Sequence, residues 1–127
     1  VIFETIMQWA EHLDIQELAY DRHFSAELVQ RLYDHNIELC PFAQGFISMN
    51  AAVCGIERHM LAESIRHTGD PVLAWAISNA ILVSDAADNR KIDKKRSKER
   101  VDPVVSLGMA VARAADNTED EGPMVYV

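Results

Sequence analysis

The segment from residue 17 to residue 41 constrains the fold more strongly than any other part of this chain of 127 residues. Two short apolar runs, residues 17–20 and residues 37–40, each predict a buried strand, and Pro41 closes the second. Between them, Ser25 is suited to cap a helix whose inward-facing positions are Leu28, Val29, Leu32 and Tyr33. A strand, a helix and a strand within about 25 residues have the spacing of a βαβ crossover, in which the strands are parallel and helices cover the sheet. The sequence therefore predicts an α/β fold.

Helical periodicity predicts the elements on either side of this crossover. The chain opens with an amphipathic helix whose apolar positions are Ile2, Phe3, Ile6, Trp9, Ala10 and Leu13. A longer helix follows Gln44-Gly45-Phe46, and its apolar stripe is formed by Met49, Val53, Ile56 and Met60. We expect both helices to pack these stripes into the core.

Turn and cap residues mark the elements of the second half. Asp70-Pro71 predicts a helix start, with Asp70 as the N-cap and Pro71 at the first helical position. The residues that follow are almost all apolar, so we expect this helix to be nearly completely buried. Residues 81–83 predict a strand, residues 85–89 supply turn chemistry, and residues 104–114 carry a last apolar helix. Residues 116–127 are acidic and contain Gly122-Pro123, which predicts a tail.

Length and composition limit the classes of protein that this chain can represent. With 127 residues, of which 49% are hydrophobic, it suits one domain with one core. No apolar run approaches the roughly 20 residues that span a bilayer, and no signal peptide is recognisable, so we expect no membrane association and no secretion. Cys40 and Cys54 lie in no metal-ligand spacing and are expected to be buried free thiols.

The positive charge of this acidic chain is concentrated in one place. Seven of its twelve Lys and Arg residues lie in residues 90–100, here called the basic stretch, although the net charge of the chain is -8. A run of this kind is equally typical of a solvated hairpin or linker. A confined positive strip also steers a polyanion and holds a nucleic-acid backbone without reading its sequence. The candidate DNA-binding residues are Arg90, Lys91, Lys94, Lys95, Arg96 and Lys98.

Two carboxylates are candidate metal ligands and catalytic residues. Asp21 follows a predicted strand, at the sheet edge where ligands of α/β folds usually bind, and Asp102 precedes Pro103 at the start of the last helix. Asp21 could equally start a turn or cap the following helix, and Asp102 could cap the last one. Carboxylates near a basic strip suit Mg²⁺ or Mn²⁺, and two such ions about 3.5 to 4 Å apart promote phosphodiester cleavage. No Gly-rich phosphate loop and no serine nucleophile turn is present.

Several short motifs, taken in order, resemble the nuclease half of tailed-bacteriophage terminase large subunits. The resemblance extends from the first helix to about Arg113. It is carried by Tyr20-Asp21, Gln44-Gly45-Phe46, Asp70-Pro71-Val72-Leu73-Ala74-Trp75, Ser78-Asn79, residues 85–89, Lys91, Asp93-Lys94, Ser97 and Glu99-Arg100-Val101-Asp102.

This resemblance implies a ribonuclease-H-like three-layer fold that lacks its first strands, with a mixed sheet and flanking helices in residues 1–115 and a tail in residues 116–127. It implies a Mg²⁺- or Mn²⁺-dependent endonuclease that cuts concatemeric phage DNA during genome packaging. Asp21 and Asp102 match the second and third acids of the family's metal-binding triad. The first acid has no counterpart, which keeps an inactive prophage remnant, acting as an interaction or assembly module, as the alternative. A resolvase-like nuclease acting on branched DNA is a further one.

The resemblance also implies partners and a location. The expected partners are double-stranded DNA, the terminase small subunit and the portal protein. An uncovered sheet edge makes a homo-oligomer a further expectation. The expected location is the cytoplasm of the host bacterium.

Overall fold

The structure, a computed structural model, describes residues 1–24, 26–97, 100–117 and 125–126. The chain divides into two compact units, Val1–Ala43 and Gln44–Val127. Each unit has its own helices and strands.

The first unit contains the predicted crossover. Its elements are α1 (Ile2–Ala10), β1 (Leu18–Tyr20), α2 (Ala26–Asp34) and β2 (Leu39–Pro41). β1 and β2 are parallel, with Leu18 opposite Leu39 and Tyr20 opposite Pro41, which confirms the predicted strand, helix and parallel strand. Ser25, the expected cap of α2, lies outside the described residues.

β2 begins two residues later than predicted because the end of α2 uses the residues before it. The Ile37 N–H donates to the Leu32 carbonyl at 3.1 Å, and Asn36 has a φ of 61°, so residues 36 and 37 complete the turn that ends the helix. The strand ladder begins only afterwards.

The core of the first unit is formed by three buried side chains, Ile6, Leu32 and Ile37. They are surrounded by the partly buried apolar side chains of Phe3, Met7, Ala10, Leu18, Leu28 and Leu39. Tyr33 was expected to face inward, and this expectation is wrong, because its side chain is 69% exposed. Its neighbour Leu32 takes the central position of α2 instead.

The second unit contains the remaining elements. They are α3 (Phe46–Leu61), β3 (Ile65–Arg66), α4 (Pro71–Asn79), β4 (Leu82–Ser84), β5 (Arg90–Ile92), α5 (Asp102–Asp116) and β6 (Val125–Tyr126). β4 and β5 form an antiparallel hairpin, with Val83 opposite Lys91.

α4 begins as predicted but is less buried than expected. The Asp70 carboxylate accepts hydrogen bonds from the N–H groups of Val72 and Leu73 at 2.8 and 3.0 Å, and Pro71 follows it, which confirms the cap. Ala76 is the buried residue of this helix, whereas Trp75 is 45% exposed. The expectation of a fully buried helix is therefore wrong, since only one face of α4 packs on the unit.

Two glycines allow α3 and α5 to pack closely. A Cβ at Gly108 of α5 would lie 3.0 Å from the Ala52 Cβ, and a Cβ at Gly55 of α3 would lie 3.0 Å from a Val111 methyl. The predicted stripe of α3 faces this contact, and its members Met49, Val53 and Ile56 are buried. Met60, the last predicted member, is exposed.

The described strands form three separate two-stranded sheets: β1 with β2, β3 with β6, and β4 with β5. The expected single mixed sheet is not found in this part of the chain, because each strand has only two or three residues and pairs along one edge. The result is a mixed α/β fold of small sheets and five helices in the described residues.

Residues at both ends of the segment expected to be a tail belong to regular elements. α5 continues to Asp116, and Val125 and Tyr126 pair in parallel with β3.

Among the residues with described structure, no helix has both the length and the apolar character needed to cross a bilayer.

Candidate functional site

The β4–β5 hairpin presents the first residues of the basic stretch, and its turn is closed by one carboxylate. Asp85 Oδ1 accepts hydrogen bonds from the N–H groups of Ala87 and Asn89 at 3.0 and 2.8 Å, and Oδ2 accepts one from Asn89 Nδ2 at 3.2 Å. Burial opposes ionisation of Asp85, but these hydrogen bonds outweigh it and lower its pKa. Asp88 adopts a left-handed conformation with a φ of 61°, which Asp tolerates better than most residues. The predicted turn chemistry is thus confirmed.

Arg90, the first residue of the basic stretch, is held by α3. Its guanidinium binds the Glu57 carboxylate through two nitrogens, Nη1 to Oε1 at 2.9 Å and Nη2 to Oε2 at 2.6 Å. Nη2 also lies 3.6 Å from Cys54 Sγ, and the Arg90 N–H donates to Asn50 Oδ1 at 3.0 Å. The hydrogen bonds from Arg90 lower the pKa of Glu57, and the hydrogen bonds to Glu57 and Cys54 raise that of Arg90.

Lys91 is the second residue of the stretch that contacts α3. Its Nζ lies 4.4 Å from the centroid of the Phe46 ring, which is cation–π geometry.

The next residues form what we call the basic turn, residues 93–97. Asp93 Oδ1 accepts hydrogen bonds from the N–H groups of Lys95 and Arg96 at 2.9 and 3.1 Å, and its carbonyl accepts one from Ser97 Oγ at 2.6 Å. The three basic side chains of this turn, Lys94, Lys95 and Arg96, are exposed. Their exposure leaves them accessible to a polyanion. Lys98, the remaining candidate, lies outside the described residues.

Asp102 is the first residue of α5 and lies beside the basic turn. Lys94 Nζ is 3.6 Å from Asp102 Oδ1, and the Asp102 side chain is 66% exposed. The capping role considered for Asp102 is not observed, because Val101 occupies the N-cap position and no side chain caps the helix there. An acid in the first helical turn is stabilised by the helix dipole. Asp102 and Lys94 thus place opposite charges together on an accessible surface.

Asp21 lies at the end of β1 in the first unit and starts a turn. Its Oδ1 accepts a hydrogen bond from the His23 N–H at 3.1 Å, and its carbonyl accepts one from the Phe24 N–H at 2.8 Å. The side chain is partly buried. The turn-forming role is therefore present, and it leaves the carboxylate at the carboxyl end of a parallel strand. Asp21 belongs to the first unit and Asp102 to the second.

The two carboxylates fit a hard divalent cation in donor chemistry. Mg²⁺ is commonly bound through one or two carboxylates, with waters and substrate phosphates completing its coordination. The Asp102 carboxylate is exposed enough to bind such an ion. Within the described ranges, no group of three or more His, Cys, Asp or Glu side chains is arranged to hold a metal ion.

Reasoning from the sequence missed the residues of α3 that hold the hairpin. Asn50, Cys54 and Glu57 recur with the spacing of one helix face, adjacent to the apolar stripe. That second, polar stripe is the signal that could have identified them.

A cavity of about 490 Å³ lies between α3, α4, α5 and β3. Its walls are mainly apolar and include Ile56, Leu73 and Leu107, with His59 and His67 among the polar side chains. Neither Asp102 nor any residue of the basic stretch lines it, so it is separate from the candidate site.

The family model described as "Terminase large subunit, endonuclease domain" matches residues 1–118, and the chain belongs to this family. The predicted resemblance is thereby confirmed.

Two curated proteins are similar to parts of the chain. The "Terminase, large subunit" of Enterobacteria phage HK97 is 39% identical over 87 residues, which are 68% of this chain and 17% of that protein. "Protein YmfN" of Escherichia coli (strain K12) is 24% identical over 102 residues, which are 79% of this chain and 22% of that protein. The chain thus spans about a fifth of the length of these relatives.

One solved structure is similar over most of the chain. It is described as "Crystal structure of the HK97 bacteriophage large terminase" and superposes with a TM-score of 0.80 at 33% identity. The match covers 89% of this chain and 24% of that one.

Proposed function

We propose that this chain is part of a metal-dependent DNA endonuclease that cuts concatemeric phage DNA during genome packaging. The observation that carries the proposal is the exposed Asp102 carboxylate beside Lys94 and the basic turn, in a member of the terminase endonuclease family. The proposed architecture is ribonuclease-H-like. The activity is a hydrolysis of phosphodiester bonds in double-stranded DNA.

In this proposal, Asp21 and Asp102 are the catalytic residues that hold Mg²⁺ or Mn²⁺. The chemistry that Asp21 and Asp102 would gain by holding such ions is activation of a water molecule and stabilisation of the leaving oxygen of the phosphodiester. Asp102 is suited to this role because its side chain is exposed and its neighbour Lys94 attracts phosphate.

The basic stretch is proposed to hold the DNA backbone. The phosphate contacts are assigned to Arg90, Lys91, Lys94, Lys95, Arg96 and Lys98, and the exposed side chains of the basic turn are the most accessible of them. Because these contacts are electrostatic, binding should be independent of base sequence and should weaken with salt.

The wider assembly is also proposed from the family. The proposed partners are the terminase small subunit and the portal protein. Further copies of the chain associate through a sheet edge, and packaging takes place in the bacterial cytoplasm. The small subunit, the portal protein and the location are proposed from family membership, and self-association is proposed from the expected uncovered sheet edge.

Plasmid nicking with Mn²⁺ tests the catalytic assignment. Asp21→Asn and Asp102→Asn each remove a ligand charge with little change in shape, so each should reduce the nicking rate by roughly 100-fold or more. Calorimetric Mn²⁺ titration of the same variants should show weaker binding than for the wild type. Asp88→Asn is the matched control, because it removes a carboxylate from the hairpin turn at a left-handed position that Asn also tolerates.

Nicking that is unchanged by both substitutions would reject the catalytic assignment. A wild-type chain that does not bind Mn²⁺ would favour the inactive interaction module.

A further inference from the structure

The contacts between α3 and β5 are specific at consecutive positions. Glu57 binds the Arg90 guanidinium with both carboxylate oxygens, and Asn50 Oδ1 accepts the Arg90 N–H. At the next position, Lys91 lies over the Phe46 ring. The strand that leads into the basic turn is therefore fixed to one helix through both its backbone and its side chains.

The same helix also packs against α5, on which Asp102 lies. One close approach is at Gly108, where an added Cβ would be 3.0 Å from the Ala52 Cβ. α3 thus contacts both the strand before the basic turn and the helix that begins with Asp102. In this arrangement Lys94 Nζ lies 3.6 Å from Asp102 Oδ1.

We propose that Glu57 is a positioning residue, which through Arg90 fixes β5 on α3 so that the basic turn is presented to the DNA backbone beside Asp102. The inference rests on the proposed function, because it presumes that the basic turn binds DNA. The alternative explanation is purely electrostatic: an acidic side chain near a DNA-binding strip only weakens DNA binding.

The two explanations predict opposite signs for Glu57→Gln. If Glu57 only neutralises Arg90, the substitution frees a cation, tightens binding and steepens the salt dependence by about 0.9 in log K against log salt. If Glu57 positions the strand, the substitution weakens binding by about threefold to tenfold, as expected for residues coupled in one ion-pair network. The salt slope should then not increase.

The experiment measures binding of the full 127-residue chain to a short labelled DNA duplex by fluorescence anisotropy at several salt concentrations. Wild type is compared with Glu57→Gln, Arg90→Gln and the double variant. If the two residues act through their pair, the double variant should lose no more affinity than the weaker-binding single variant. The double variant with reversed charges, Glu57→Arg with Arg90→Glu, should recover part of the DNA affinity that the single variants lose.

Lys95→Ala is the control for a direct phosphate contact, and it should reduce the salt slope by about 0.9. Tighter binding of Glu57→Gln, or affinity unchanged in that variant while its melting temperature falls, would overturn the positioning role alone. If the wild type does not bind the duplex, or if Lys95→Ala leaves the slope unchanged, the DNA-binding part of the proposed function fails and the inference fails with it.

Discussion

The close packing of α3 on α5 makes a sharp prediction for Gly108→Ala. In an exposed helix interior, this substitution stabilises by about 1 kcal/mol, because Ala has the higher helix propensity. Here the new Cβ would lie 3.0 Å from the Ala52 Cβ and 3.3 Å from the Ile56 Cδ1. Ile56 can rotate its terminal methyl, but Ala52 is almost completely buried and its methyl cannot move without its backbone. Overpacking of this kind costs about 1–3 kcal/mol, so we expect a net loss of about 1 kcal/mol.

Urea unfolding followed by far-UV circular dichroism measures this loss, and two further variants isolate its cause. Ala110→Gly, at an exposed position of the same helix, should lose about 1 kcal/mol from propensity alone. Adding Ala52→Gly to Gly108→Ala removes the opposing methyl. The double variant should therefore lose at least about 1 kcal/mol less free energy of unfolding than the two single variants lose in sum. If Gly108→Ala instead stabilises the chain by as much as Ala110→Gly destabilises it, the close contact between the two helices is refuted.

Two further predictions concern single side chains. Arg90 lowers the pKa of Glu57 below its ordinary value of 4.5, so the unfolded chain binds a proton there first as the pH falls. The wild type should therefore have a larger free energy of unfolding than Glu57→Gln above pH 4.5, and this difference should shrink as the pH falls through the lowered pKa. Urea unfolding at about pH 3 and about pH 7 measures the difference, and equal differences at the two pH values would contradict the prediction. Asp70→Ala should cost about 1 kcal/mol in thermal or urea unfolding through loss of the α4 cap, whereas Asp70→Asn should cost little, and an equal cost for both would argue against capping as the cause.

Local signals predicted the elements of the fold well, and their failures have a common cause. The cap at Asp70, the turn at Asp85 and the parallel pair β1–β2 follow from interactions over a few residues. The same signals misjudged burial. Tyr33 and Trp75 are apolar enough to be buried, but the units cover only one side of α2 and α4. Periodicity identifies an apolar face without stating how much of it finds a partner.

The candidate site was predicted in part for the same reason. Its chemistry could be named because carboxylates, lysines and arginines are visible in the sequence. Their surroundings could not be predicted, since the sequence does not show that Arg90 is bound by Glu57 and that Lys94 lies near Asp102. Whether a charged side chain is paired or accessible depends on which groups the fold places next to it.

The amino-acid sequence was sufficient to predict the helices, the parallel strands of the crossover, the confined positive charge and the family to which the chain belongs. Capping, turn formation and hydrophobic periodicity act between neighbours, so they can be recognised without a fold. The folded chain was needed to show that Glu57 pairs with an arginine 33 positions away and that α3 contacts both the hairpin and α5. Such pairings depend on how helices pack, and close packing between distant segments leaves no local signature in the chain.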